Sequence, residues 1–280
     1  MKIDLHCHSF YSDGTQSPEF LVQRAAENQL THLAITDHDC IAGLNNLPAD
    51  LMGVSIIKGV EISCGWQSIE VHIVGLFIDP DNHDLTLLLE SQQGARHLRV
   101  EQMHKNLAEL GIKGLMGYLE ALPAIAYTRS QVADFLVEQK VCKTKQKSFK
   151  THLAKGGKIY VAPDWCHLEA GISAIKSAGG LAVLAHPGRY PINKTTLAEL
   201  VTAFTLCGGE ALESRYPNID LKMIKQIETL AEVNGLYLSA GSDFHTAAAH
   251  WTDVGKFPAL ETSNKKGIWL HPKWQGELQI

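Results

Sequence analysis

Five short apolar segments of strand type each run into a histidine, aspartate or glutamate, and helical segments separate them. Lys2–Leu5 alternates and leads into His6-Cys7-His8. Alternate residues on a strand share a face, so His6 and His8 project together and Cys7 turns away to pack. Asp13 follows in a turn that Gly14 makes possible. His32–Thr36 ends in Asp37-His38-Asp39, and Val54–Ile57 continues through Gly59-Val60 to Glu61. Leu181–Ala185 ends in His186-Pro187-Gly188-Arg189, and Leu236–Ala240 ends in Gly241-Ser242-Asp243-Phe244-His245. A further alternating run, Ile69–Phe77, carries His72 in its interior. Parallel strands linked by helices collect their C-terminal ends on one face, where α/β barrels build active sites. The expected class is therefore α/β.

The helices support this order at both ends of the chain. Ser17 caps a helix entered through Pro18, and further helices are expected over Leu168–Ser177, Thr195–Thr205 and Asn218–Asn234, with a strand at Gly209–Glu213. The alternation lapses between 83 and 159, which reads mainly as helix: Leu85–Leu110, then a helix to Glu138 opened by the capping box Thr128-Arg129-Ser130-Gln131. Between Lys140 and Lys158 there are seven lysines and no acid. These patterns predict a barrel formed by 1–82 and 160–280, interrupted by an inserted helical subdomain over 83–159.

Seven donors thus lie at strand ends, His6, His8, His38, Glu61, His186, Asp243 and His245, and Asp13 in its turn and His72 inside its strand bring the number to nine. One four-coordinate ion cannot use nine, so two or three divalent ions are implied. Imidazole and carboxylate without thiolate suits Zn²⁺, Mn²⁺ or Fe²⁺. The six cysteines form no CxxC pair, which argues against a disulfide framework or zinc finger and suits a reducing cytosol. No signal peptide and no apolar run approaching ~18 residues is expected to direct the chain to a membrane, so the expected location is cytoplasmic. A net charge of −5 gives no global attraction to nucleic acid, and no obligate protein partner is evident.

The set His6-Cys7-His8-Ser9, Asp13, Thr36-Asp37-His38, Gly59–Ser63, His72, Ala185–Gly188 and Gly241–His245 resembles the PHP (polymerase and histidinol phosphatase) superfamily. That resemblance implies a distorted seven-stranded β/α barrel holding up to three metals and hydrolysing phosphoesters. Carried over by position, it implies one ion on His6, His8, Glu61 and Asp243, a second on Asp13, His38 and His245, and a third on His72 and His186 with Glu61 bridging. The early HCHS…SDG start, the short Glu61-to-His72 spacing, the size of the insertion, Thr128-Arg129, Tyr160-Val161…Trp165 and His186–Tyr190 are similar to the bacterial RNase AM branch, also called nucleoside 3′,5′-bisphosphate phosphatase. The chain departs from that branch at Gln131-Val132 and Asp134.

The chemistry then expected is hydrolysis of a nucleotide or short 5′-phosphorylated RNA by a hydroxide bridging two ions, with Asp243 at the reacting centre and His38 or His245 protonating the leaving oxygen. Arg129 and Arg189 are the candidates for holding the phosphate that is not cleaved, because guanidinium forks bind phosphate bidentately. Arg96 and Arg99 are expected to be solvated. Two other readings are a histidinol-phosphate phosphatase and a non-catalytic PHP module that binds without turnover.

Overall fold

The computed structural model describes residues 2–249, 251–260 and 266–277. The chain begins with β1 (Ile3–Cys7), α1 (Pro18–Glu27), β2 (His32–Ile35), the single turn α2 (Ala42–Asn45) and β3 (Ser55–Ile56). Ser17 caps α1 by accepting from the amide of Phe20, and Pro18 occupies the first turn, where a missing N–H costs nothing. Strands β1, β2 and β3 pair in parallel, and every residue of β1 and β2 is buried.

β4 (Gly59–Trp66) and β5 (Ile69–Leu76) follow, separated by only Gln67 and Ser68. A two-residue connection closes a hairpin, whereas a parallel crossover needs about a dozen residues. β5 is accordingly antiparallel to β4, and also to β7 (Leu181–Leu184). His72 sits inside β5 on a strand running the other way, opposite Ser63 of β4.

Helices α3 (His83–Glu109), α4 (Leu115–Glu120), α5 (Arg129–Glu138) and α6 (Lys145–Ser148) come next, α6 continuing as a π turn over Phe149–Leu153. The capping box of α5 forms as read: Thr128 Oγ1 accepts from the Ser130 amide, and Gln131 Oε1 accepts from the Thr128 amide. These helices share an apolar cluster that includes Met103, Leu107, Leu115, Phe135, Leu153 and Ile159. Then come β6 (Cys166–His167), α7 (Leu168–Ser177), β7, α8 (Lys194–Leu206), β8 (Ala211–Arg215), α9 (Leu221–Val233), β9 (Tyr237–Ala240) and α10 (Pro272–Glu277).

The second sheet has the order β6-β4-β5-β7-β8-β9, so the protein is α/β with one parallel and one mixed sheet. Parallel bridges Cys7↔Phe244 and His38↔Glu61 join the two sheets. The largest core cluster lies between the mixed sheet and its helices, with Ile62, Ile73, Ile172, Leu200, Phe204 and Leu238 among its members. Each such side chain contributes roughly 1.5–3 kcal/mol when taken from water.

Arg96 and Arg99 overturn the expectation that they are solvated: they are only 4% and 7% exposed. Gln92, Arg96 and Arg99 recur at helical spacing on the buried side of α3, a polar stripe where an apolar one is usual. Arg96 is satisfied by Asp39 Oδ2, at 2.8 Å from Nε and 2.6 Å from Nη2, and its guanidinium stacks on Trp165. Arg99 Nε donates to the carbonyl of Val161, and its guanidinium also lies over Trp165.

Candidate metal centre

His6 and His8 leave the end of β1 on one side, their Nε2 atoms 3.1 Å apart. Cys7 points the other way, its Sγ against the Ala34 carbonyl. The backbone that follows is stitched to the far end of the chain: the His8 amide donates to the Phe244 carbonyl and the Thr15 amide to that of His245. Ser9 and Ser12 hold the loop through Asp37, whose carboxylate accepts from both hydroxyls at 2.6 Å.

Glu61 is the hub. Its Oε2 lies 3.2 Å from Nε2 of His6, 3.2 Å from Nε2 of His8 and 3.0 Å from Nδ1 of His38. Its Oε1 lies 3.0 Å from Nδ1 of His72 and 3.2 Å from Nε2 of His186. Asp243 Oδ1 is 3.5 Å from His6 Nε2 and 3.2 Å from His8 Nε2. Asp13 Oδ1 is 3.1 Å from His245 Nε2 and 3.7 Å from His38 Nε2. The structure thus brings all nine expected donors together, and they overlap in four groups: His8, Asp13, His38 and His245; His6, Glu61 and His186; His6, His8 and Asp243; His38, Glu61 and His72.

This convergence is held against backbone strain. His186 (φ 31°) and Asp243 (φ 46°) occupy left-handed conformations that cost a non-glycine residue roughly 1–2 kcal/mol. Two short hydrogen bonds offset the cost: the His186 amide donates to Glu213 Oε2 at 2.6 Å and the Asp243 amide to the His6 carbonyl at 2.7 Å.

The charges fit a cation. Burial opposes ionisation of Glu61, but His38, His6 and His72 outweigh it and hold the carboxyl well below its usual range. Asp243 is lowered in the same way, burial being overcome by His245, His6, His8 and Arg189, as is Asp13, chiefly by His245 and His38. The imidazoles divide. Burial acts against the charge of His8, but Asp243 and Glu61 raise it to about 10, and Glu61 likewise takes His72 to about 10. Burial keeps His38 and His186 low. Asp13 Oδ1, His38 Nδ1 and Glu61 Oε2 are buried and have no hydrogen-bond partner among the described residues. Orphaned ligand atoms and anionic carboxylates gathered with imidazoles that the carboxylates hold in positive form are what a divalent ion can replace protons among, so the donor set fits such ions.

The cluster floors a cleft of about 480 Å³ that Arg99, Arg129, Lys145 and Arg189 also line. Arg189 donates to Asp243 Oδ2, and Arg129 lies 3.3 Å from Glu70 Oε2. Arg99 Nη2 is buried without a hydrogen-bond partner among the described residues. Sequence reasoning passed over Arg99, and also Glu213, whose Oε1 lies 3.1 Å from His6 Nδ1 and leaves Nε2 to face the cluster. A signal for Glu213 existed, because it ends the strand expected from sequence over Gly209–Glu213. Gly241 has room for no side chain: an added Cβ would stand 2.3 Å from His6 Cβ and 2.8 Å from Glu213 Oε1.

A parallel-and-mixed α/β fold with this cluster belongs to a defined class. The PHP domain family matches residues 4–141, and the chain belongs to that family. Among its relatives, the 5′-3′ exoribonuclease Rnm of Salmonella typhimurium is 38% identical over 271 residues, covering 95% of this chain and 92% of the relative. The 3′,5′-nucleoside bisphosphate phosphatase of Chromobacterium violaceum is 37% identical over 259 residues, covering 90% of each chain. A solved amidohydrolase from Chromobacterium violaceum, with bound sulfate and no metal, superposes with a TM-score of 0.86 at 36% identity over 94% of this chain and 93% of that one.

Proposed function

We propose that this chain is a metal-dependent phosphoesterase acting on nucleotides: a nucleoside 3′,5′-bisphosphate, cleaved to the monophosphate, or a short 5′-phosphorylated RNA degraded 5′ to 3′. The observation that carries this is Glu61, one buried carboxylate contacting five imidazoles, of which His38 and His72 line a cation-walled cleft. Relatives similar over most of their length, named as an exoribonuclease and a bisphosphate phosphatase, support the substrate class.

His6, His8, Glu61 and Asp243 would hold one divalent ion, Asp13, His38 and His245 a second, and His72 and His186 a third shared through Glu61; Mn²⁺, Zn²⁺ and Fe²⁺ suit these donors. Such ions, when bound, acidify water and neutralise phosphoryl charge. The chain does the rest. Glu213 orients His6 through its Nδ1. Arg189, paired with Asp243 and lining the cleft, would offer its guanidinium to substrate phosphate. Arg129 and Arg99 take the phosphate that is kept, Arg99 through its unpartnered Nη2. As the water oxygen forms its bond to phosphorus, the bond to the leaving oxygen breaks; the water's proton leaves to solvent and the leaving oxygen takes one up at the mouth of the cleft, where His245 is 31% exposed on its side chain. We infer also that 1–82 and 160–280 form a distorted seven-stranded barrel, with 83–159 inserted as the cleft's second wall.

Side-by-side turnover of adenosine 3′,5′-bisphosphate, a 5′-phosphorylated oligoribonucleotide and histidinol phosphate by the metal-reconstituted protein tests the reading. Preference for either nucleotide supports it. Preference for histidinol phosphate replaces the substrate class, and turnover of none with metal bound leaves a binding module.

A further inference from the structure

Trp251 is 66% exposed, yet it lines the same cleft as His38, Asp243 and His245. An indole left in water at the mouth of a charged cleft is not there for the core. The segment that carries it is fixed at both ends. On one side the His245 carbonyl accepts from the Thr15 amide at 2.7 Å. On the other, Arg24 Nε donates to Asp253 Oδ1 at 2.9 Å and the Gly255 amide donates to Asp4 Oδ2 at 2.6 Å. The ring is therefore presented by anchored backbone. Beside it, Thr252 Oγ1 is buried and has no hydrogen-bond partner among the described residues, and it lines the cleft too. Arg129 and Lys145 line the same cleft, with Phe149.

We infer that Trp251 is the stacking platform for the nucleobase of the substrate, with Thr252 Oγ1 left to pair with the sugar or base edge. This rests on the nucleotide reading above and adds to it the part of the ligand that phosphate-binding cations cannot see. A cleft that needed only to bind a phosphomonoester would gain nothing from an indole in solvent. A flat aromatic base attached to a phosphate engages both chemistries at once. Stacking on an aromatic face tolerates every base, so the site accepts nucleotides without discriminating sequence.

The test compares Trp251→Ala and Trp251→Phe with wild type on adenosine 3′,5′-bisphosphate and on the base-free 1-deoxyribose 3,5-bisphosphate. Stacking predicts that Trp251→Ala raises KM for the nucleotide about tenfold, with kcat within about twofold. Trp251→Phe should restore most of the affinity, and the base-free compound should distinguish none of the three proteins. An unchanged KM in Trp251→Ala overturns the inference. So does an equal rise for the base-free compound, because the indole would then only shape the loop. A readout independent of turnover is quenching of indole fluorescence by adenosine 5′-monophosphate, expected in wild type and diminished in Trp251→Phe. If wild type hydrolyses neither bisphosphate, the phosphoesterase reading falls, while quenching still decides the platform: its absence in wild type overturns it.

Discussion

The strand-end floor and the helical wall over 83–159 meet in one cleft but are built on opposite terms. The floor uses short, rigid, fully buried groups: His6, His8 and Glu61 are at most 1% exposed and come from strands whose backbone is locked by pairing. The wall offers long cations on helices and loops. Arg129 is a third exposed, Lys145 is more open and paired to Asp134, and Arg99 is buried with one nitrogen unused. Ion coordination requires donors placed to within tenths of an ångström, and strands provide that. Phosphate recognition tolerates reach and adjustment, and arginine and lysine provide those. Chemistry should therefore fail when the floor is altered, whereas substrate preference should shift when the wall is altered.

Breaking the floor at its hub has the largest expected effect. Glu61→Ala removes the carboxylate shared by five imidazoles and should lower kcat/KM by more than ~100-fold, whereas His72→Ala, at the rim, should cost about tenfold. Steady-state kinetics with metal content measured on both variants checks this, and equal losses would remove Glu61 from the bridging position. Glu213→Gln comes next. It keeps the shape but weakens the anchor on His6 Nδ1, and a loss of roughly 10- to 100-fold in metal affinity or activity is expected. Isothermal titration with Mn²⁺ or Zn²⁺ reads it directly, and unchanged affinity would make Glu213 a partner of the His186 amide alone.

The wall predictions are smaller and selective. Arg99→Lys loses the planar fork and its stacking on Trp165, and should raise KM for a nucleoside bisphosphate about tenfold while leaving p-nitrophenyl phosphate turnover near wild type. An equal loss on both substrates would make Arg99 structural. The smallest effect belongs to the lysines. Changing Lys143, Lys145, Lys147 and Lys150 together to Ala should raise KM for oligoribonucleotides severalfold, with the mononucleotide nearly unaffected. The salt slope of RNA binding should become shallower by roughly 0.7 for each phosphate that the lysines no longer neutralise. If neither substrate responds, these lysines form a solvated face only, and if both respond alike they belong to the phosphate site or to folding.

The floor was legible from sequence because its signals are local. A strand pattern places His6 and His8 on one side within three residues, His38, Glu61, His186, Asp243 and His245 come after apolar runs, and His72 alternates inside one. The capping box at Thr128 was legible for the same reason, being complete within four residues. The direction of β5 was also available in principle, since a two-residue gap after Trp66 permits only a hairpin.

What the sequence alone determined is the chemistry: which side chains can coordinate an ion, that their number exceeds what one ion uses, and that no thiolate belongs among them. What only tertiary structure decided is which polar residues are buried and what they do there. Arg96 and Arg99 read as solvated because charged residues on a helix usually are. Their burial depends on Asp39, the Val161 carbonyl and the Trp165 ring, the nearest of these 57 residues away in the case of Asp39 and Arg96. Glu213 and Gly241 acquire their roles only once β8 and β9 lie beside β1 and the end of β7. Pairing and periodicity act over a few residues and leave a trace in the string. Burial of a charge requires a distant partner to offset its lost hydration, and that partner is brought to it only by the fold.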